Sequence, residues 1–269
     1  MKRSERKMKP FCFTVDDNIL FLRDLARGEY ESLFDHPYLS MYKRLHEKHG
    51  LKIQLNLFYE MPGFDLSKAP DRFKGEWEKN ASWLKLSFHS RMENENPYLA
   101  SGYEEVSFDC EKVQREILRF AGISSLGKTT TVHWCRATEE GVKALFDQGV
   151  RGLLGLYGTE EMPRLSYDLS EEEGKELRKG ECILKNGMAH YAIDVIMNKY
   201  GKEELLEKVS ALLSRGSVRI MIHEQYFYPD YHAFQPDFEE KIDAAFSLLR
   251  QAGFESCFLE ETEPLHISF

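Results

Sequence analysis

Short apolar runs alternate along the chain with longer stretches in which apolar positions recur every three or four residues. The first run, Phe11-Cys12-Phe13-Thr14-Val15, has the composition of a buried strand and stops at two adjacent carboxylates, Asp16 and Asp17. Residues 19–27 then read as a helix, His36-Pro37 as a turn, and 38–49 as a second helix closed by Gly50. Residues 51–59 form a second strand pattern, ended by Met61-Pro62-Gly63. A short polar helix is expected over 71–80, a third strand over 83–89, and an Asn-rich loop over 90–97. Val106, Val113, Ile117 and Phe120 mark one face of a long helix, 104–121, stopped by Gly122.

The same rhythm continues. Residues 129–134 predict a fourth strand and 138–148 a helix, and 150–156 a fifth strand. Residues 192–197 predict a sixth strand, 202–214 a helix, 218–223 a seventh strand, and 236–251 a last helix closed by Gly253. A further short strand is expected over 256–259. Between residues 157 and 192 the rhythm breaks, and Asn186-Gly187 there is a type I′ hairpin signal. This region reads as an excursion of extra strands rather than a second domain.

Strands that alternate with helices imply parallel βα units. Seven or eight such units predict an α/β fold: a distorted (β/α)7-type parallel barrel with an inserted β-hairpin region, as one domain over 1–269. A doubly wound sheet is the runner-up. No Gly-rich turn follows any predicted strand, which argues against dinucleotide or nucleotide binding.

Composition narrows the partners. The chain of 269 residues is 42% hydrophobic and 13% aromatic, enough for a large core. A net charge of −9 and the lack of any long basic run argue against nucleic acid. The first ten residues are basic, but no apolar stretch long enough for a signal peptide follows them, and no membrane-spanning run occurs elsewhere. Cys12, Cys110, Cys135, Cys182 and Cys257 include no CxxC pair, so reduced thiols in a cytoplasmic protein are expected.

Four predicted strands end in residues able to bind metal or move protons: Asp16-Asp17, His89, His133 and His223-Glu224. Strand alternation sends Asp16 and Asp17 in different directions, so one can face a metal and the other a substrate or water. Asp-Asp-Asn also reads as a helix cap, and a lone His at a strand end is commonly structural. Active sites of parallel barrels lie at the C-terminal strand ends, so four polar ends on one rim predict a shared site. The remaining histidines (His36, His46, His49, His190, His232 and His266) have no such setting. Trp134, Tyr226 and Tyr228 flank two of the strand ends and suit either stacking on a sugar ring or rim packing.

These residues resemble the polysaccharide deacetylase (NodB-homology) family. Thr14-Val15-Asp16-Asp17-Asn18 is similar to its Thr-Phe-Asp-Asp-Gly motif, which implies Asp16 as catalytic base and Asp17 as metal ligand. His89-Ser90-Arg91-Met92-Glu93 matches the first His and the Ser of His-Ser/Thr-x-x-His, but not the second His. Met221-Ile222-His223 resembles Leu-x-His, which implies His223 as general acid, with Asp194 at the place of the Asp that orients it. The Arg-Pro-Pro-Tyr motif is missing, and Val132-His133-Trp134 stands in that region.

The resemblance implies a (β/α)7-type barrel and metal-assisted removal of an acyl group from an N-acylated sugar. One divalent transition metal is expected, zinc foremost, because imidazole and carboxylate donors suit it. Asp17 and His89 are the first two expected ligands. The third is His133, placed by a strand end, or Glu93, which keeps the family's spacing in a loop. Glu224 is expected to orient His223 or to bind substrate. A carbohydrate-binding barrel without hydrolysis, and a metal-dependent hydrolase of another small substrate, are the alternatives. The sequence does not indicate an oligomeric state.

Overall fold

The computed structural model describes residues 9–93, 97–158, 165–262 and 264–265. The basic start of the chain, part of the 157–192 excursion and His266 lie outside the described residues.

The elements are β1 (Lys9–Asn18), α1 (Leu20–Arg27), α2 (Pro37–His49), β2 (Ile53–Phe58), β3 (Glu60–Met61), β4 (Phe64–Asp65), α3 (Lys74–Asn80), β5 (Leu84–Ser90), α4 (Tyr103–Phe120), β6 (Thr129–Thr130), α5 (Glu139–Asp147), β7 (Gly152–Gly155), α6 (Glu171–Arg178), β8 (Cys182–Lys185), β9 (Met188–Ala192), β10 (Val195–Ile196), α7 (Lys202–Ala211), β11 (Val218–His223), α8 (Phe238–Gln251) and β12 (Phe254–Ser256).

β1 is central because its alternation divides two environments. Phe11 and Phe13 leave one face and pack on Phe246 of α8, with ring centroids 5.2 and 4.9 Å apart. Thr14 and Asp16 leave the other face and are buried as well. β2 and β5 repeat the division, with Leu55, Leu57, Leu86 and Phe88 packed in the apolar core and Gln54, Asn56, Ser87 and His89 on the opposite face. Each fully buried Leu or Phe stabilises the fold by about 1.5–3 kcal/mol, so the outer faces fix the register.

One sheet runs β10-β11-β1-β2-β5, with β12 added to β1, and a second runs β6-β7-β9-β8. All pairings within them are parallel except the β8–β9 hairpin. The sheets meet at both edges. Gly127 N–H donates to Leu86 O at 2.8 Å on one side. On the other, the chain runs on from β9 through Ile193, whose N–H donates to Gly155 O of β7 at 2.9 Å, to Asp194, whose N–H donates to Arg219 O of β11 at 2.9 Å. The strands therefore follow one another around a distorted (β/α)7 barrel, with β9 and β10 sharing one wall position.

Three expectations change. The excursion supplies a wall strand: β9 pairs in parallel with β7, because all five of its residues are buried. Asn186 and Gly187 do form the expected turn, with φ of 51° and 83°, and only β8 is added outside. The fourth strand is just Thr129–Thr130. His133, Trp134 and Cys135 then turn along the rim, with φ of 62° at Trp134 and 56° at Cys135. Two successive left-handed non-glycine residues are strained backbone, a feature that clusters at functional sites. Finally, the last strand is Phe254–Ser256, earlier than expected. Among the described residues no helix is long and apolar enough to cross a membrane.

Candidate metal centre and active site

The site begins where β1 ceases to be regular. Val15 pairs with Leu55 and Asn18 with Leu57, so Asp16 and Asp17 together oppose Asn56. This bulge, with Asp17 at φ 61°, overrides the strand alternation and lets both carboxylates line one cavity. Asn18 braces the bulge: its Nδ2 donates to Val15 O (2.6 Å) and Asn56 O (3.2 Å), and its Oδ1 accepts from the Tyr38 hydroxyl (2.8 Å).

Asp17 meets two histidines. Its Oδ1 is 3.0 Å from His89 Nε2 and 3.1 Å from His133 Nδ1, and the two ring nitrogens are 3.1 Å apart. Burial alone would raise the Asp17 carboxyl, but hydrogen bonds from His133 and His89 outweigh it and hold it well below the usual carboxylate range. Burial would lower His89, yet Asp16 and Asp17 beside it raise it. The His89 tautomer follows from its other nitrogen: Nδ1 donates to Thr131 O at 2.5 Å, which leaves Nε2 as the ligand atom. Phe58 packs on both imidazoles at 5.1 and 4.9 Å and holds the rings.

These residues fit a divalent cation. Asp17, His89 and His133 form the one group among the described residues whose ligand atoms all lie within 4.8 Å of one another. Donors bound to a common ion at about 2.0–2.2 Å stand roughly 3.0–3.5 Å apart. A carboxylate oxygen and two ring nitrogens at that spacing are satisfied by protons or by a cation. Glu93 is exposed on the cavity wall and is not in this group.

Asp16 sits beside the group, 2% exposed, and accepts from Asn56 Nδ2 at 2.6 Å. Burial pushes its carboxyl up to about 6, although His89 and the Asn56 hydrogen bond oppose the rise. His223 pairs with Asp16 across β1 and β11 and lines the same cavity of about 550 Å³. Burial, together with His89 and Lys199, lowers its affinity for a proton despite Asp17. Trp134, 43% exposed, stands at the mouth, and Tyr226 lies in the wall.

Three expected site residues do not reach the cavity. Asp194 binds Arg215 and accepts from the Arg219 N–H (2.8 Å). His223 Nδ1 instead donates to Asn198 Oδ1 at 2.8 Å. Glu224 is fully buried and turns back to the start of α1, where its carboxylate accepts from the N–H groups of Ile19, Leu20 and Phe21 at 2.6–2.8 Å. It therefore satisfies a helix N-terminus that has no side-chain cap of its own. Tyr228 donates to Glu224 at 3.3 Å and lines a separate depression with Asp24 and Tyr30.

Sequence reasoning missed Asn56, Asn198 and Gln225, whose Nε2 donates to Asp17 Oδ2 at 2.8 Å. The alternating Gln54 and Asn56 within a buried strand could have signalled the first. Gln225 follows directly on His223-Glu224. Nothing in the local pattern marks Asn198.

No protein-family model and no curated protein matches the chain. Solved structures do. The Bc1960 peptidoglycan N-acetylglucosamine deacetylase superposes with a TM-score of 0.56 at 14% identity, over 94% of this chain and 87% of that one. A family 4 acetyl xylan esterase from Clostridium thermocellum, solved with a cobalt ion, gives 0.52 at 12% identity, over 94% and 89%. A 4-alpha-glucanotransferase from Thermococcus litoralis gives 0.60 at 13% identity, over 95% of this chain but 40% of that one. Likeness at such identity is a likeness of fold, and this scaffold carries more than one carbohydrate chemistry, so the site must decide the function. The chain has the distorted (β/α)7 fold of the family 4 carbohydrate esterases, the polysaccharide deacetylases, with an Asp-His-His group at the rim of its barrel.

Proposed function

We propose that the protein is a divalent-metal-dependent hydrolase that removes an acetyl group from a carbohydrate, in the first place from the nitrogen of an N-acylated sugar. The observation that carries this reading is the convergence of Asp17, His89 and His133 next to a buried base, Asp16, held by Asn56, with His223 on the same cavity. The mixed carboxylate and imidazole set suits zinc foremost. A bound ion would polarise the acyl carbonyl and ease ionisation of the attacking water.

The side chains supply the proton transfers. Burial makes the Asp16 carboxylate a better proton acceptor than an exposed one, suited to taking a proton from the water. His223 aims its second ring nitrogen at the cavity while Asn198 holds the first. A neutral amide partner leaves His223 a weaker base than a carboxylate partner would. It is protonated in a smaller fraction of molecules, and once protonated it is a stronger acid toward the leaving amine. Trp134 and Tyr226 offer ring faces to the C–H face of a sugar at the mouth.

The same reading takes 1–269 as one catalytic domain, with a carbohydrate as partner. It keeps a cytoplasmic setting, on the odd and unpatterned cysteine count. Its test is turnover. The metal-loaded protein is assayed for acetate release against N-acetylglucosamine oligosaccharides and acetylated xylo-oligosaccharides. Release from the former supports N-deacetylation, release only from the latter makes the enzyme an esterase, and none from either removes the proposal.

A further inference from the structure

The inside of the barrel carries a run of polar side chains that ends on Asp16. Gln54, 2% exposed, spans from β2 to β6, two strands with no backbone pairing between them. Its Oε1 accepts from Thr129 Oγ1 at 2.8 Å, and its Nε2 donates to Thr129 O at 2.9 Å. The same Nε2 donates to Asn56 Oδ1 at 2.8 Å. Asn56, with no exposure, then donates from Nδ2 to Asp16 Oδ1 at 2.6 Å.

The direction of each bond follows from the one before it. A backbone carbonyl can only accept, so Thr129 O fixes which end of the Gln54 amide carries nitrogen. That nitrogen also faces Asn56, so the Asn56 end nearest to it must be oxygen. The Asn56 nitrogen is thereby turned to Asp16. No hydroxyl or imidazole in this run can rotate or change tautomer to reverse the order beyond Thr129. The backbone of Asn56 is tied to the bulge as well, because its carbonyl accepts from Asn18 Nδ2 at 3.2 Å.

Barrel interiors are ordinarily filled by branched apolar residues. Two buried amides cost more to desolvate than such residues unless every group is bonded, and a fully bonded network holds one geometry. We infer that Asn56 is the positioning residue of Asp16, with its amide orientation set by Gln54, two residues away on β2, which is itself anchored to Thr129 of β6. This inference rests on the proposed role of Asp16 as base. A neutral amide aims the carboxylate without adding a positive charge that would make it a poorer base. The Asp17, His89 and His133 group has its own supports, Gln225, Thr131 and Phe58, so the two halves of the site are braced independently.

The test compares the full-length wild type with Asn56→Ala and Asn56→Ser, by metal content, crystal structure and steady-state kinetics on whichever acetylated oligosaccharide the wild type hydrolyses. Both variants keep the wild-type metal content. In the Asn56→Ala structure the Asp16 carboxylate leaves its position while Asp17, His89 and His133 stay. Its kcat falls by about 10- to 100-fold with KM little changed, a loss below the ~10²–10⁴-fold worth of the base itself. Asn56→Ser, which keeps a short donor, recovers part of kcat, which a purely structural role would not produce. An unmoved Asp16, an unchanged kcat, or loss of metal in Asn56→Ala overturns the inference. If the wild type hydrolyses none of the sugars, the proposed function fails, and the position of Asp16 in the Asn56→Ala structure still decides the role of Asn56.

Discussion

His133 Nδ1 stands 3.1 Å from Asp17 Oδ1, although Asp17 lies on β1 and His133 in the turn after β6, two strands with no pairing between them. Two departures from regular structure bring them together. A bulge turns Asp17 inward from β1, and the left-handed turn at Trp134 and Cys135 holds His133 at the rim beyond β6. The candidate third ligand, His133, is thus held on the segment after β6, whereas Glu93, in the loop after His89, is exposed and outside the group.

Asp16 and Asp17 are adjacent but have different partners, so their roles are separable. Asp16→Asn keeps the shape of the side chain and removes the proton acceptor. Metal content is expected to stay at the wild-type level, while kcat falls by about 10²–10⁴-fold. Metal analysis and acetate release on the same preparation check both halves.

Asn198 holds His223 Nδ1 through one hydrogen bond of 2.8 Å, while burial lowers the hold of His223 on its proton. Asn198→Asp replaces a neutral acceptor with a carboxylate and raises the hold of His223 on its proton. A general acid must be protonated to act, so activity is lost as pH rises through its pKa. The alkaline limb of kcat/KM is therefore expected to move to higher pH in Asn198→Asp. An unmoved limb assigns the acid to another group.

Glu224 serves the fold. Glu224→Ala strips the acceptor from the Ile19, Leu20 and Phe21 N–H groups in a buried setting. A single cap is worth about 0.5–2 kcal/mol and each buried unsatisfied donor about 1–3 kcal/mol, so a loss of about 2–4 kcal/mol is expected. Urea unfolding measures it, with metal content per folded chain unchanged.

Much of the fold was legible because the apolar alternation of Phe11–Val15, Ile53–Leu57 and Leu84–Phe88 reports directly which face meets the helices. β9 was hidden: the Asn186-Gly187 turn marks the hairpin but not which of its arms enters the barrel wall. In the site, Asp17, His89 and His133 were readable as polar strand ends. Glu224 looked the same in sequence, but its carboxylate points backward to a helix that lacks a cap. Asp194 and Asn198 differ by only four positions. Which of them meets His223 depends on how β10 abuts β11, and that geometry leaves no periodic trace.

His190 links acid stability to burial. Its Nδ1 has no hydrogen-bond partner among the described residues, and burial, with Lys185 adding to it, lowers its pKa to about 4. The unfolded chain takes up this proton near the ordinary histidine value of 6.5, the folded chain only near 4. Stability from this residue is therefore present above about 6.5 and lost as pH falls toward 4, by about 3 kcal/mol at roughly 1.36 kcal/mol per unit. His190→Phe is expected to flatten the urea midpoint over that window. An equally steep loss in the variant assigns it to other groups.

The most direct test of the account is a chelator-competition titration with zinc on the wild type and on Asp17→Ala, His133→Ala and Glu93→Ala. About one ion per chain is expected in the wild type and in Glu93→Ala. Asp17→Ala and His133→Ala are expected to lose more than the roughly 10–100-fold in affinity typical of a merely supporting partner. Tight binding that survives His133→Ala and is lost in Glu93→Ala would contradict it.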